Sequence, residues 1–340
     1  MIRRVVRLPS SGPLFLDLRS FGRAYPFTPA QIEQIRRTVQ YVPEVMVKVT
    51  GGGTKVGAVV AHLAYIGRKG DLTIETDDGQ HARGREAQKA ILKGWHLELT
   101  AGQYRAPRDG GKITRRTKLV HNIVLSMPSP TPTDKVLAAA RKFAREKFRL
   151  QHRYAMVLHT DQQHPHVHLV VKAESEHGQR LHINKEMLRE WREDFAQMMR
   201  EQGIAANATS RSTRGKSKAT TKDGVYRAQR RGASHVVRHR IKDIVNDLQS
   251  TRSVHDPARG RLIETRKAIV AAWAQTAEQL ETQGEVVLAG EVRHFARHLP
   301  PVMTDKEHIA ARFLEHIRAQ HRQSPAVGNN ARRRDYERTR

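Results

Sequence analysis

The reading of this 340-residue chain turns on His159-Thr160-Asp161-Gln162-Gln163-His164-Pro165-His166-Val167-His168-Leu169-Val170-Val171. Arg153 to His159 reads as a strand, residues 160–165 as a turn and His166 to Lys172 as a second strand, which makes a hairpin. Alternate side chains of a strand face opposite ways, so His166 and His168 share one face, about 7 Å apart at the backbone. Val167 and Leu169 then point to the other face, toward a core. The turn returns the chain so that His159 lies beside His166, and three imidazoles can converge on one cation. Three neutral nitrogens leave coordination positions open for a substrate oxygen. Asp161 can orient one imidazole or act as a base. His164 sits in the turn, where a ligand, a phosphate contact and a bystander are all open readings. The bland alternatives are a His-rich surface hairpin and a structural zinc site. A closed zinc site usually takes four protein ligands, and this chain has no cysteine to supply one.

Working outward, Val45–Val49 reads as a strand, and Val56 to Gly67 as a helix with Val56, Val59, Val60 and Leu63 on one face. Leu72–Glu75 is a short strand, Asp77-Asp78-Gly79 a turn, and Gly84 to Ala101 a helix. Lys118 to Ser126 is a strand ended by Pro128, Pro130 and Pro132. Helices follow at Asp134 to Arg149 and Lys185 to Gln202. This order predicts an α+β fold, a central sheet with helices on one face, rather than a doubly wound parallel sheet. In the N-terminal extension, 1–43, only Thr28 to Gln40 looks helical, with Thr28 as cap and Pro29 in the first turn. The main domain is expected over 44–204. Residues 205–234 carry eight Lys/Arg against the single acid Asp223, and read as a mobile basic arm. A helical region over 235–325 and a disordered basic tail over 326–340 complete the division.

Lys and Arg number 61 against 34 Asp and Glu, a formal charge of +27, so the expected partner is a polyanion, nucleic acid above all. The absence of cysteine excludes disulfide scaffolds, Fe–S clusters and thiol nucleophiles, and leaves His, Asp and Glu to hold any metal. No stretch reaches the roughly 18 apolar residues that span a bilayer. The start, Met1-Ile2-Arg3-Arg4, lacks the apolar core of a signal peptide, so a cytoplasmic protein without membrane insertion is expected.

The pattern His159-x-Asp161 followed by His166-Val167-His168 resembles the third motif of the conjugative relaxases within the HUH endonucleases, in the T-DNA-border and P-type mobilisation branch. The other two motifs of that family have counterparts in order. Leu63-Ala64-Tyr65-Ile66-Gly67-Arg68-Lys69-Gly70 resembles the segment carrying the nucleophilic tyrosine, and His121-Asn122-Ile123-Val124-Leu125-Ser126-Met127-Pro128 the strand ending in a DNA-contacting serine. The likeness spans roughly residues 44–233 and leaves out 1–43. It implies an antiparallel HUH-type central sheet flanked by helices. It implies Tyr65, Ser126 and Asp161 as catalytic residues, with His159, His166 and His168 holding one divalent ion, Mg2+ or Mn2+ in the first place and Zn2+ as an alternative. Arg68, Lys69 and the basic-arm residues Arg211, Arg214, Lys216, Lys218, Arg227, Arg230 and Arg231 are the expected DNA contacts. Tyr25 and Tyr41 are rivals to Tyr65 by their nearness to the N-terminus, though their surroundings do not match the motif.

A phenol, with a pKa of about 10, is a better leaving group than a serine alkoxide, which suits a reversible covalent link to phosphate. The resemblance implies site- and strand-specific nicking of a plasmid transfer origin (oriT), single-stranded at the nick, through a 5′-phosphotyrosyl intermediate. The partners it implies are accessory relaxosome proteins, a type IV coupling protein and the secretion channel. The implied location is the bacterial cytoplasm, with export on the transferred strand. The competing readings are an HUH-type rolling-circle replication initiator or transposase, a non-enzymatic DNA-binding protein, and a His-metal phosphodiesterase that uses water.

Overall fold

Strand β6 (His166–Lys172) is an inner strand of the sheet. In the computed structural model, which describes residues 26–103, 117–149, 151–217, 228, 234–249 and 258–323, β4 (Val120–Ser126) and β5 (Tyr154–His159) flank it. Outside β4 lies β1 (Met46–Gly51), and outside β5 lie β2 (Ile74–Thr76) and β3 (His81–Ala82). The sheet order is β1-β4-β6-β5-β2-β3, and every neighbouring pair is antiparallel. The hairpin closes with His159 opposite His166 and Val157 opposite His168. Across the other edge of β6, Ser126 faces His166 and Val124 faces His168.

Helices cover both faces of this sheet, which corrects the expectation of one. On one face, α5 (Thr133–Phe148) and α6 (Lys185–Glu201) bury Phe143, Phe148, Trp191 and Phe195 against Val167, Leu169 and Val171. On the other, α2 (Val56–Ile66), α3 (Gly84–Gly94) and α4 (Leu97–Gln103) bury Val59, Leu63, Ile66, Ile91 and Leu97 with Val120, Val157 and Val170. The reason is in β4 and β6. Ile123-Val124-Leu125 and Leu169-Val170-Val171 are unbroken apolar runs, the composition of strands buried on both sides. The helix expected over 84–101 divides at Trp95 and His96, where His96 takes a φ of +49°. Trp95 and Leu97 are both buried, yet two residues apart on one helix they point about 200° away from each other. The left-handed residue between them turns both inward.

The N-terminal helix α1 (Pro29–Val39) starts in a complete capping box between Thr28 and Gln31. It is tied to α6 by Gln34 Nε2–H donating to Glu193 (2.9 Å), while Asn207 N–H donates to Pro43 O (2.9 Å). Glu44 accepts from the Thr209 N–H (2.7 Å). Contacts thus join 27–43 and 205–209 to the sheet, and among the described residues they divide the chain between Thr209 and Ser210.

The second unit contains α7 (His235–Gln249), α8 (Ala258–Thr282), α9 (Val286–Arg297) and α10 (Asp305–Gln323). Trp273 of α8 meets Phe295 of α9 edge-on at 5.1 Å. Residues 210–217, expected in a mobile arm, are packed turns of this unit. Trp273 Nε1–H donates to Thr213 O (2.9 Å), Arg266 to Gly215 O (2.8 Å) and Ser217 Oγ–H to Met303 O (2.8 Å). Ser and Thr there read as linker composition, but Ser210 Oγ closes the turn through Ser212 and Thr213. Gly215 has a φ of +66°, and a Cβ on it would meet Leu299 at 3.2 Å. The remainder of the expected arm, 218–227 and 229–233, and the tail 326–340 lie outside the described residues. Among the described residues, no helix is long and apolar enough to cross a membrane.

Candidate metal centre and nucleophile

His159 ends β5 and His166 begins β6 opposite it, so their side chains leave the sheet on the same face, and His168 follows on that face. The ring centroids lie 5.1 Å apart for His159–His166, 4.4 Å for His159–His168 and 5.1 Å for His166–His168. One nitrogen from each lies within 4.8 Å of the other two. His159 and His166 are buried and His168 is half-buried.

Hydrogen bonds and burial prepare these rings as ligands. His159 Nε2–H donates to Ile66 O (2.6 Å), which leaves its Nδ1 lone pair free of a proton. His166 Nδ1–H donates to His164 O (3.0 Å), which does the same for Nε2. Burial, reinforced by the neighbouring imidazoles, pushes His168 down to about 3, and burial also lowers His159. Neutral imidazole is the ligating form. Three ring nitrogens drawn from two adjacent strands, those of His159 and His166 set by backbone carbonyls, suit a divalent ion that keeps open positions.

Helix α2 supplies the next residues. Val59, Leu63 and Ile66 face the core, and Tyr65 is turned out beside the histidines. Tyr65 is 49% exposed, and its ring lies 6.4 Å from His168, edge-on. The chain after Ile66 leaves helical geometry sharply. Arg68 (φ +50°) and Lys69 (φ +58°) are left-handed non-glycine residues, a conformation that costs of order 1–3 kcal/mol each and persists where its surroundings hold it. Gly70 (φ +119°) follows, where a Cβ would come within 3.2 Å of the Gly84 Cα. This reversal folds Arg68 back. Its guanidinium lies 5.6 Å from the Tyr65 ring centroid, pairs with Asp161 and comes within 3.4 Å of His159 Nδ1. Asp161 Oδ1 is 3.9 Å from the same nitrogen. Asp161 thus reaches the imidazole in company with Arg68. Lys69 is exposed at the turn.

Ser126 is buried in the same cross-strand row as His166. His164 lies outside the triad: its Nδ1 accepts from the Ser129 N–H (3.1 Å). Tyr41 follows α1, whose partner α6 covers the opposite face of the sheet, and Tyr25 lies outside the described residues. Arg211, Arg214 and Lys216 belong to the packed turns of the second unit, while Lys218, Arg227, Arg230 and Arg231 lie outside the described residues.

Two neighbours of the centre escape a reading of motifs. His62, one helical turn before Tyr65, has its ring centroid 6.2 Å from Tyr65 and 6.4 Å from His168, and its Nε2 is buried without a hydrogen bond. Its i, i+3 spacing from Tyr65 is the signal that could have found it. Lys48 on β1 is exposed in the row that runs through Val124 to His168.

Residues 73–204 match the family model described as relaxase, MobA/VirD2-like, nuclease domain. The match takes in Ser126, Asp161 and the three histidines and begins after Tyr65. The chain is similar to the T-DNA border endonuclease VirD2 of Rhizobium radiobacter, at 29% identity over 187 residues, 49% of this chain and 42% of that protein. It is 27% identical to the VirD2 of Agrobacterium fabrum over 216 residues, 58% of this chain and 46% of the relative. The chain thus spans less than half the length of these curated relatives.

Proposed function

We propose that this chain, whose nuclease domain belongs with the MobA/VirD2-like relaxases, nicks one strand of a plasmid transfer origin by transesterification through Tyr65. The observation that carries this reading is the convergence of three imidazoles with an exposed helix-borne tyrosine 6.4 Å from one of them. The Tyr65 phenol oxygen attacks the scissile phosphorus and gives up its proton to solvent, to which the residue is half exposed. The bond from phosphorus to the upstream 3′ oxygen breaks, and that oxygen keeps the electron pair and takes a proton. A 5′-phosphotyrosyl link and a free 3′-OH result, so one phosphoester is exchanged for another and the step can reverse on the same strand. His159, His166 and His168 would hold a divalent ion, Mg2+ or Mn2+, which supplies charge neutralisation and in-line orientation at the phosphate. Arg68 lies over Tyr65 and beside His159, where its positive charge can meet that of the scissile phosphate. Asp161 holds Arg68 in that place, and Ser126, opposite His166, would bind DNA next to the cut.

In this reading the DNA is single-stranded at the nick, and the remaining basic surface holds its backbone. The partners would be accessory relaxosome proteins and a type IV coupling protein with its secretion channel. The protein would work in the bacterial cytoplasm and leave it with the transferred strand. The test is a supercoiled plasmid carrying the native origin, incubated with and without EDTA. Relaxed circles with protein on one 5′ end are expected only without EDTA. Tyr65→Phe should abolish the adduct and leave DNA binding within a few-fold of the parent. An adduct that survives in Tyr65→Phe, mapped to another tyrosine, overturns the assignment. Cleavage without any adduct supports water as the nucleophile.

A further inference from the structure

A groove of about 520 Å3 opens between the two loops that leave the catalytic row. One wall is the segment 129–133, which begins three residues after Ser126. The other is 160–165, which joins His159 to His166. The loops are tied to each other. Ser129 N–H donates to His164 Nδ1 (3.1 Å) and Met127 N–H to Pro165 O (3.3 Å), while Thr131 Oγ1–H braces its own loop on Pro128 O (2.6 Å). The groove is therefore shaped before any ligand enters, and its volume lies within the roughly 300–1,000 Å3 of small-ligand sites.

Its chemistry departs from that of the chain around it. Three prolines, four hydroxyl side chains and the two amides of Gln162 and Gln163 line it, with no formally charged side chain among them. The chain as a whole carries +27. A phosphate site would be expected to recruit some of that charge. A nucleobase asks for what is here: flat apolar surfaces for its face, and neutral donors and acceptors for its edge. A glutamine amide offers one donor and one acceptor side by side, the pattern that pairs with adenine. Reading a base at its edge also requires it to be unstacked, which a single strand allows at little cost.

We infer that this groove holds one unstacked nucleobase of the single strand beside the scissile phosphate, and that Gln162 and Gln163 read its edge. The inference rests on the nicking reading for its location and adds where one position of sequence preference resides.

The experiment is affinity selection from a single-stranded DNA library with a randomised central segment. The full chain is used with Tyr65→Phe, which is expected to bind without cleaving. The same selection is run with Gln162→Ala and Gln163→Ala added. A bidentate contact discriminates by about 1–3 kcal/mol, or roughly 5- to 150-fold. The added substitutions should bring the preference at one position, or two adjacent ones, down to near parity, and leave the rest of the selected motif in place. The selected strand is then given to the chain with Tyr65 intact, and the adduct should map the nick next to the lost position. An unchanged motif, equal weakening at every position, or a lost position remote from the nick overturns the inference. If the selected strand forms no adduct at all, the nicking reading fails, and the base contact is judged by the selection alone.

Discussion

On one side of β6, Val167, Leu169 and Val171 meet Phe143, Phe148, Trp191 and Phe195, whose rings pack edge-on at 5.5–6.1 Å. On the other side, the same seven residues of backbone present His166 and His168 to His159, Tyr65 and an ion pair. The first face gains by removing apolar area from water, at roughly 25 cal/mol per Å2. The second gains in the same way around Val170 and gives up that gain at His166 and His168. It buries imidazoles that resist protonation, holds two left-handed residues after α2 and leaves a tyrosine half in solvent. The contrast is a division at the level of alternate residues, in which an apolar face backs one that carries the titratable cluster.

That division predicts opposite outcomes for equally drastic changes. The largest effect should come from His166→Ala or His168→Ala. Either should lower adduct yield more than about 100-fold in Mg2+ or Mn2+, while the melting temperature stays level or rises. A fall in stability as large as that of a core truncation would show that these imidazoles hold the sheet together, and the division would fail.

Next comes the converse. Phe195→Ala on the apolar face should cost about 3–5 kcal/mol of unfolding free energy. Activity per folded molecule should stay near that of the parent at a permissive temperature. Chemical denaturation and active-site titration by adduct formation separate the two quantities.

A smaller effect is expected at the rim. Lys48 is exposed on edge strand β1, in the row that crosses Val124 to His168, and Met46 is 45% exposed in the row of Ser126 and His166. Lys48→Ala should weaken single-strand binding by less than about tenfold and reduce the salt slope by about one unit, the signature of one phosphate contact. An unchanged slope would confine the DNA to the other flank of the centre.

How much of this was legible beforehand follows from the range of the interactions. The hairpin could be read because alternation is local: His166-Val167-His168 states which residues share a face, and a short turn places His159. Helix α2 could be read from Val59 and Leu63 with a glycine stop. The second helical layer could not, because the strands are apolar on both faces and no alternation marks a side. The Arg68–Asp161 pair joins residues 93 apart, and nothing local announces it. The turns at 210–217 were misread because serine and threonine suit both linkers and hydroxyl-closed turns, and only tertiary partners such as Trp273 decide which.

The smallest expected effect concerns a histidine on the face built for stability. His121 on β4 pairs with Val171, so it lies on the apolar side. Its Nε2–H donates to Leu181 O (3.1 Å), and its Nδ1 is buried without a partner. Burial pushes its pKa down to about 4, helped by the charges of Lys118, Arg180 and His152 and opposed by the bond to Leu181. Protonation would add an N–H with no acceptor. In the unfolded chain the same ring titrates near 6.5, so between about pH 4 and 6.5 the unfolded state binds more protons. This contribution to stability is complete above pH 6.5 and is lost as pH falls through that window. His121→Gln cannot titrate but can still donate to Leu181 O. It should make the acid loss of stability shallower, by less than the roughly 1.4 kcal/mol per pH unit that one full proton contributes. Partial exposure reduces the effect further, and His62 and His152, also lowered by burial, keep a residual slope of the same sign. Unfolding curves from pH 4 to 7 measure it, and an unaltered slope would mean that His121 stays neutral without cost to the fold.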